Sequence, residues 1–172
     1  LTFEEFLWAN NVSKDVVCKL RESFENKEEV NVATNDKMHE LFRQYIVVGG
    51  MPEVVNNFVK EHNYSTVLKL QRAIVKDYES DIAKYAESTE KVKARACFKS
   101  VPIHLSKDNK KFMYSTVEKN SKSAKYAGSI EWLIDAGIVN VCKNLSRLEQ
   151  PLIGYAQDNY FKIYMNDTGL LV

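Results

Sequence analysis

The chain has 172 residues, 45% hydrophobic and 27% charged, with a net charge of +1. That composition excludes intrinsic disorder and leaves room for one domain or two small ones. No apolar run approaches the ~20 residues of a membrane helix, and the opening LTFEEFLWANN lacks the basic segment and cleavage site of a signal peptide.

The first half reads as consecutive helices. Thr2-Phe3-Glu4-Glu5 is a capping box, and Ser13 is placed to cap a second helix with Val16, Val17, Leu20 and Phe24 on one face. NVATND is expected to reset the chain before a third helix carrying Leu41, Phe42 and Tyr45. Gly49-Gly50 ends that helix, and Pro52 suits the first turn of the next, whose apolar face is Val55, Phe58 and Val59. Val67, Leu70, Ile74, Tyr78, Ile82 and Tyr85 recur at helical spacing and predict a long helix from about Ser65 to Ala86.

The second half changes character. KVKARACFKSVPIHLS predicts a basic helix ending near Pro102, and Ser115-Thr116-Val117-Glu118 a capping box opening a short one. A turn near Asn120-Ser121 leads to a helix through Tyr126, Ile130, Leu133 and Ile134 that ends at Gly137; Trp132 should be more exposed than Ile130 or Leu133. Two alternating segments follow, with Val139, Val141 and Leu145 on one face and Phe161, Ile163 and Met165 on another, joined by a loop holding Pro151 and Gly154. The fold class is mainly α: a helical region, then a winged-helix-like domain with a β-hairpin.

Charge is unevenly spread. Residues 1–89 carry a net −4, residues 90–126 a net +7 and residues 127–172 a net −2. The basic zone is the electrostatic feature a partner would meet. Cys18, Cys97 and Cys142 are odd in number and far apart, which suits a reducing cytoplasmic compartment.

Catalytic signatures are missing from the sequence. There is no GxxxxGK[ST] loop, no zinc-ligand spacing among His39, His62, His104 and the cysteines, and no G-x-S-x-G elbow. Asp77, Glu79 and Asp81 lie beside Lys76 and Lys84, so a salt-bridged helix face explains them without a cation. No metal and no catalytic residue are expected in these 172 residues.

YIVVGGMPEVV, DYESDIAKY, FKSVPIHLSKDNKKF, GSIEWLIDAGIV and NDTGLLV, taken in order, resemble the bacterial and archaeal AAA-type ATPases that carry a conserved C-terminal domain of unknown function. LTFEEFLWA is similar to the chain leaving the last strand of the ATPase core. The resemblance implies a helical lid-like region over 1–89 and a winged-helix-like domain over 90–172, between an ATPase core that binds ATP and magnesium and a nuclease-like C-terminal part. The chain does not open on Met, and is expected to be a non-catalytic piece of such a protein, its partners including that core and C-terminal domain.

Two sites carry expectations. Gly49-Gly50-Met51-Pro52 serves structurally as a helix end and restart; the resemblance also implies a turn in which Gly49, Gly50, Met51 and Pro52 lie against nucleotide. Lys119, Lys122 and Lys125 crowd the start of the expected recognition helix, where cations cost ~0.3–1 kcal/mol each and a bound phosphate would relieve the repulsion. Ser121, Ser123 and Tyr126 are candidates for further DNA-backbone contacts, and Lys107, Lys110 and Lys111 for a neighbouring phosphate. Only Asn120 is of a type suited to reading a base edge, so non-specific contact is expected. A protein-interaction module with a solvated lysine surface stands as the alternative.

Overall fold

A computed structural model describes residues 1–85 and 90–172. It is mainly helical: α1 (Phe3–Ala9), α2 (Lys14–Asn26), α3 (Val32–Val48), α4 (Pro52–Glu61), α5 (Tyr64–Tyr85), α6 (Lys91–Leu105), α7 (Tyr114–Val117) and α8 (Ser123–Asp135), then strands β1 (Val139–Leu145) and β2 (Ala156–Met165). Short 3-10 turns occupy Leu152–Tyr155 and Thr168–Leu170. No described helix is long and apolar enough to cross a membrane.

The chain forms two compact units, Leu1–Val75 with Asp167–Val172, and Lys76–Asn166. This differs from a division at 89/90 in two ways. The boundary falls inside α5, and the last six residues belong to the first unit. The expected helix end at Ala86 lies outside the described residues.

In the first unit the Thr2–Glu5 capping box forms as the sequence predicts, and Ser13 caps α2. Phe6, Leu41, Val48, Val54, Val55, Phe58 and Val67 build the core. The Gln71 side-chain amide donates to the Val47 and Val48 carbonyls (2.8 and 3.1 Å), satisfying two acceptors that the end of α3 leaves open. NVATND does not reset the chain. Asn31 caps α3 by accepting from the Ala33 N–H, and the helix runs on from Val32. The expected face of α2 is only partly used: Val16, Val17 and Leu20 are half-buried, and Phe24 is 85% exposed.

The second unit holds α6, α7, α8 and the hairpin in winged-helix order. Glu79 of α5 receives Arg95 and Lys99 of α6 at 2.6 and 3.0 Å, a salt-bridged face that reaches across to the next helix. Burial raises the Glu79 carboxyl, but the hydrogen bonds from Arg95 and Lys99 outweigh it and leave it below the usual range. α8 ends as expected: Gly137 (φ 67°) donates to the Ile134 carbonyl and Ile138 to the Leu133 carbonyl, which is a Schellman motif. β1 and β2 pair antiparallel, Val139 against Met165 and Val141 against Ile163. Between Lys143 and Asn144 the register shifts, leaving residues 158–160 of β2 outside the ladder.

Two expectations are corrected here. α6 does not stop at Pro102 but continues one turn to Leu105. Pro102 withholds the N–H that the Phe98 carbonyl would otherwise receive, and the turn beyond it is held by His104, which is 1% exposed and bonded at both ring nitrogens. Nor does Ser115-Thr116-Val117-Glu118 form a capping box. α7 starts at Tyr114 without a side-chain cap, and Glu118 closes it in extended conformation. Tertiary packing decides this: Phe112 and Tyr114 sit 5.6 and 6.2 Å from Phe161, and the Glu118 carboxylate is taken by α8.

Candidate functional site

α7 and α8 are joined by a turn with Asn120 in the left-handed region (φ 61°), fixed by the Ser121 hydroxyl donating to the Tyr114 carbonyl at 2.6 Å. Lys122 is the N-cap of α8 and provides no side-chain cap, so the first-turn amides retain their partial positive charge. A groove of ≈ 410 Å³ opens at this helix start, lined by Lys111, Ser115, Ser121, Lys122, Ser123 and Asn159 among others. Four expected site residues, Lys111, Ser121, Lys122 and Ser123, are therefore brought together. Lys110 lines a neighbouring concavity of ≈ 280 Å³ with Cys142, Asn144, Tyr160, Lys162 and Tyr164. Lys111 links the two: its Nζ lies 4.2 Å over the Tyr160 ring.

Other expected contacts are engaged within the protein. Lys125 pairs with Glu118 at 2.6 Å, and Lys107 donates to the Thr116 hydroxyl at 3.3 Å. Tyr126 is 3% exposed, and its hydroxyl donates to Glu118 at 2.5 Å. The hydrogen bonds from Lys125 and Tyr126 hold the Glu118 carboxyl below its usual range. Burial, reinforced by Glu118, pushes the Tyr126 phenol up to about 12. Tyr126 thus ties α8 to the end of α7.

This phenol makes a titration prediction. A group held neutral by the fold stabilises it fully below the unfolded value of ~10, and the contribution disappears as pH rises through about 12. Tyrosinate absorbance compared between wild type and Tyr126→Phe should isolate one phenol ionising near 12. Ionisation near ~10 would mean that the hydroxyl is not buried.

The outward positions of α8 include Ala127, Gly128, Glu131, Ile134 and Asp135. Trp132 is half-buried, more exposed than Ile130 or Leu133, as expected. Asn159, Tyr160, Lys162 and Tyr164 escaped the sequence reading. Their signal was the Tyr160-Lys162-Tyr164 alternation, opposite in phase to the apolar residues on which strand assignment relies.

In the first unit, Gly49 ends α3 with φ 76°. Asp167 bonds the Gly50 amide at 2.6 Å and the Gly169 amide at 2.7 Å. Gly49 and Gly50 are buried, Met51 is half-buried and Pro52 exposed. Within the motif, only Met51 and Pro52 remain open to a ligand. Among the described residues no group of three His, Cys, Asp or Glu is placed to hold a metal. Burial pushes the Cys97 thiol up to about 12, which keeps it an inert core residue.

Residues 39–172 match the model of a family described as a domain of unknown function (DUF8612). No curated protein and no solved structure matches the chain.

Proposed function

The chain belongs to the DUF8612 family, and we propose that it serves as a non-catalytic region of a cytoplasmic AAA-type ATPase whose 76–166 unit contacts nucleic-acid phosphates without reading sequence. The ATPase assignment is supported by the five motif strings in their order. ATP and magnesium would then be bound by the parent protein's core, with Met51 and Pro52 the exposed part of the lid-like turn.

The observation that carries the nucleic-acid reading is the convergence of Lys111, Lys122 and Ser123 on one groove at the uncapped start of α8. An anion there would meet two ammonium groups, a hydroxyl and unpaired backbone amides. Lys119 adds charge from the preceding turn. Further along α8, Glu131 and Asp135 would repel phosphates on either side of a groove, so contact is through the helix start and not lengthwise.

Binding to labelled duplex DNA across a salt series tests this. Three neutralised phosphates predict a slope of log affinity against log salt near −2.7, reduced by about 1 for each of Lys119→Ala and Lys122→Ala. Absence of binding at low salt, or a slope unchanged in the variants, would contradict the reading.

One observation favours a second reading. The tip of the hairpin loop exposes Leu148 (88%) and Ile153 (86%), and a groove of ≈ 230 Å³ between α8 and the hairpin includes Ile130, Ile134, Val141 and Phe161. These surfaces fit a protein-interaction module, for which salt would change affinity little.

A further inference from the structure

β2 buries Phe161, Ile163 and Met165, so its pleat turns Lys162 and Tyr164 to the opposite side, where Tyr160, just outside the ladder, lines the same concavity. Both rings are accessible, Tyr160 at 44% and Tyr164 at 37%. Four residues of strand separate them by ~13 Å, far enough for each to hold a different base. Lys162 lies between them on the same side, and Lys110 lines the same concavity. Lys111 reaches over Tyr160 and also lines the groove at the start of α8, making the basic surface continuous from Lys122 to Tyr164. Among the described residues, Asp108 is the one carboxylate lining the hairpin concavity, against Lys110, Lys143 and Lys162; Lys143 is paired with Asp158.

Exposed aromatic rings interleaved with lysines are what successive bases and phosphates require. A protein interface of this size would favour the aromatics but select against lysine. The faces of bases are free only when the strand is single; in a duplex they are stacked away. We propose that the outer face of the hairpin binds single-stranded nucleic acid, with bases stacked on Tyr160 and Tyr164 and phosphates on Lys110, Lys111 and Lys162. This rests on the nucleic-acid reading of the 76–166 unit and adds the strandedness and the surface.

The test is binding of the whole chain to a labelled oligothymidine and to a duplex of the same length, in a salt series. Variants are Tyr160→Ala/Tyr164→Ala, Tyr160→Phe/Tyr164→Phe and Lys119→Ala/Lys122→Ala, each checked for unchanged thermal unfolding. The expected result is tighter binding of the single strand, weakened at least about tenfold by the Ala pair and preserved by the Phe pair, which keeps the rings. Single-strand binding untouched by the Ala pair would overturn the inference, as would loss of binding in the Phe pair. Duplex binding that depends on Lys119 and Lys122 without a single-strand preference would overturn it too, while leaving the phosphate-contact reading standing. No binding of either nucleic acid would sink both.

Discussion

Gly49→Ala is expected to destabilise the first unit by about 4 kcal/mol or more. Two independent costs add. The backbone at Gly49 has φ 76° and ψ −171°, a region essentially closed to residues with a Cβ. A Cβ there would also lie 2.2 Å from Asp167 Oδ1 and 2.7 Å from the Gly169 amide nitrogen. Neither neighbour can yield cheaply, because Asp167 holds the Gly50 and Gly169 amides together. Denaturant unfolding followed at Trp8, in a Trp132→Phe background, reads this unit. Gly154→Ala is the control, since a Cβ there meets nothing within 4 Å. A Gly49→Ala midpoint equal to that control would mean that the Asp167 clamp does not close over α3.

The second large effect is expected in the other unit. His104→Ala should cost about 3–4 kcal/mol. The ring stacks on Phe112 at 4.4 Å, and Nε2 accepts the Met113 N–H at 3.0 Å. That leaves the proton on Nδ1, from which it is donated to the Ser100 carbonyl at 2.7 Å. Removing the ring opens a cavity, takes the acceptor from the part-buried Met113 N–H and removes one donor from the buried Ser100 carbonyl. His104→Phe separates the two terms, because it fills the space without restoring either bond. Unfolding followed at Trp132 should place the Phe variant between wild type and Ala. A Phe variant as stable as wild type would show that packing alone holds the end of α6.

Much of the fold was legible because its signals are local. Thr2, Ser13, Pro52 and Gly137 each act within one helical turn, and each does what its chemistry predicts. The misreadings have distant causes. The turn beyond Pro102 is held by His104, which meets Met113 nine residues downstream. The apparent capping box at Ser115 gives way to the packing of Phe112 and Tyr114 on β2. The boundary at 89/90 did not foresee that DTGLLV returns to the first unit, where Asp167 meets Gly50 across 117 positions of sequence.

The candidate site was legible in charge but not in partners. Composition located the basic zone, and its lysines do gather near the start of α8. Which of them stay available depends on neighbours: Lys125 turns to Glu118 and Lys107 to Thr116, while Lys111 and Lys122 line the groove. The two exposed tyrosines share β2 with Phe161, Ile163 and Met165, whose apolar alternation is the stronger signal in that strand.

Hydrogen–deuterium exchange of the chain, alone and with a saturating oligonucleotide, tests most directly whether the basic surface of the 76–166 unit meets nucleic acid. Slowed exchange is predicted at the amides of Ser123 and Ala124, which open α8 without a side-chain cap, and along residues 160–164 of β2. Protection confined to the loop around Leu148 and Ile153, or no change anywhere in the unit, would contradict that account.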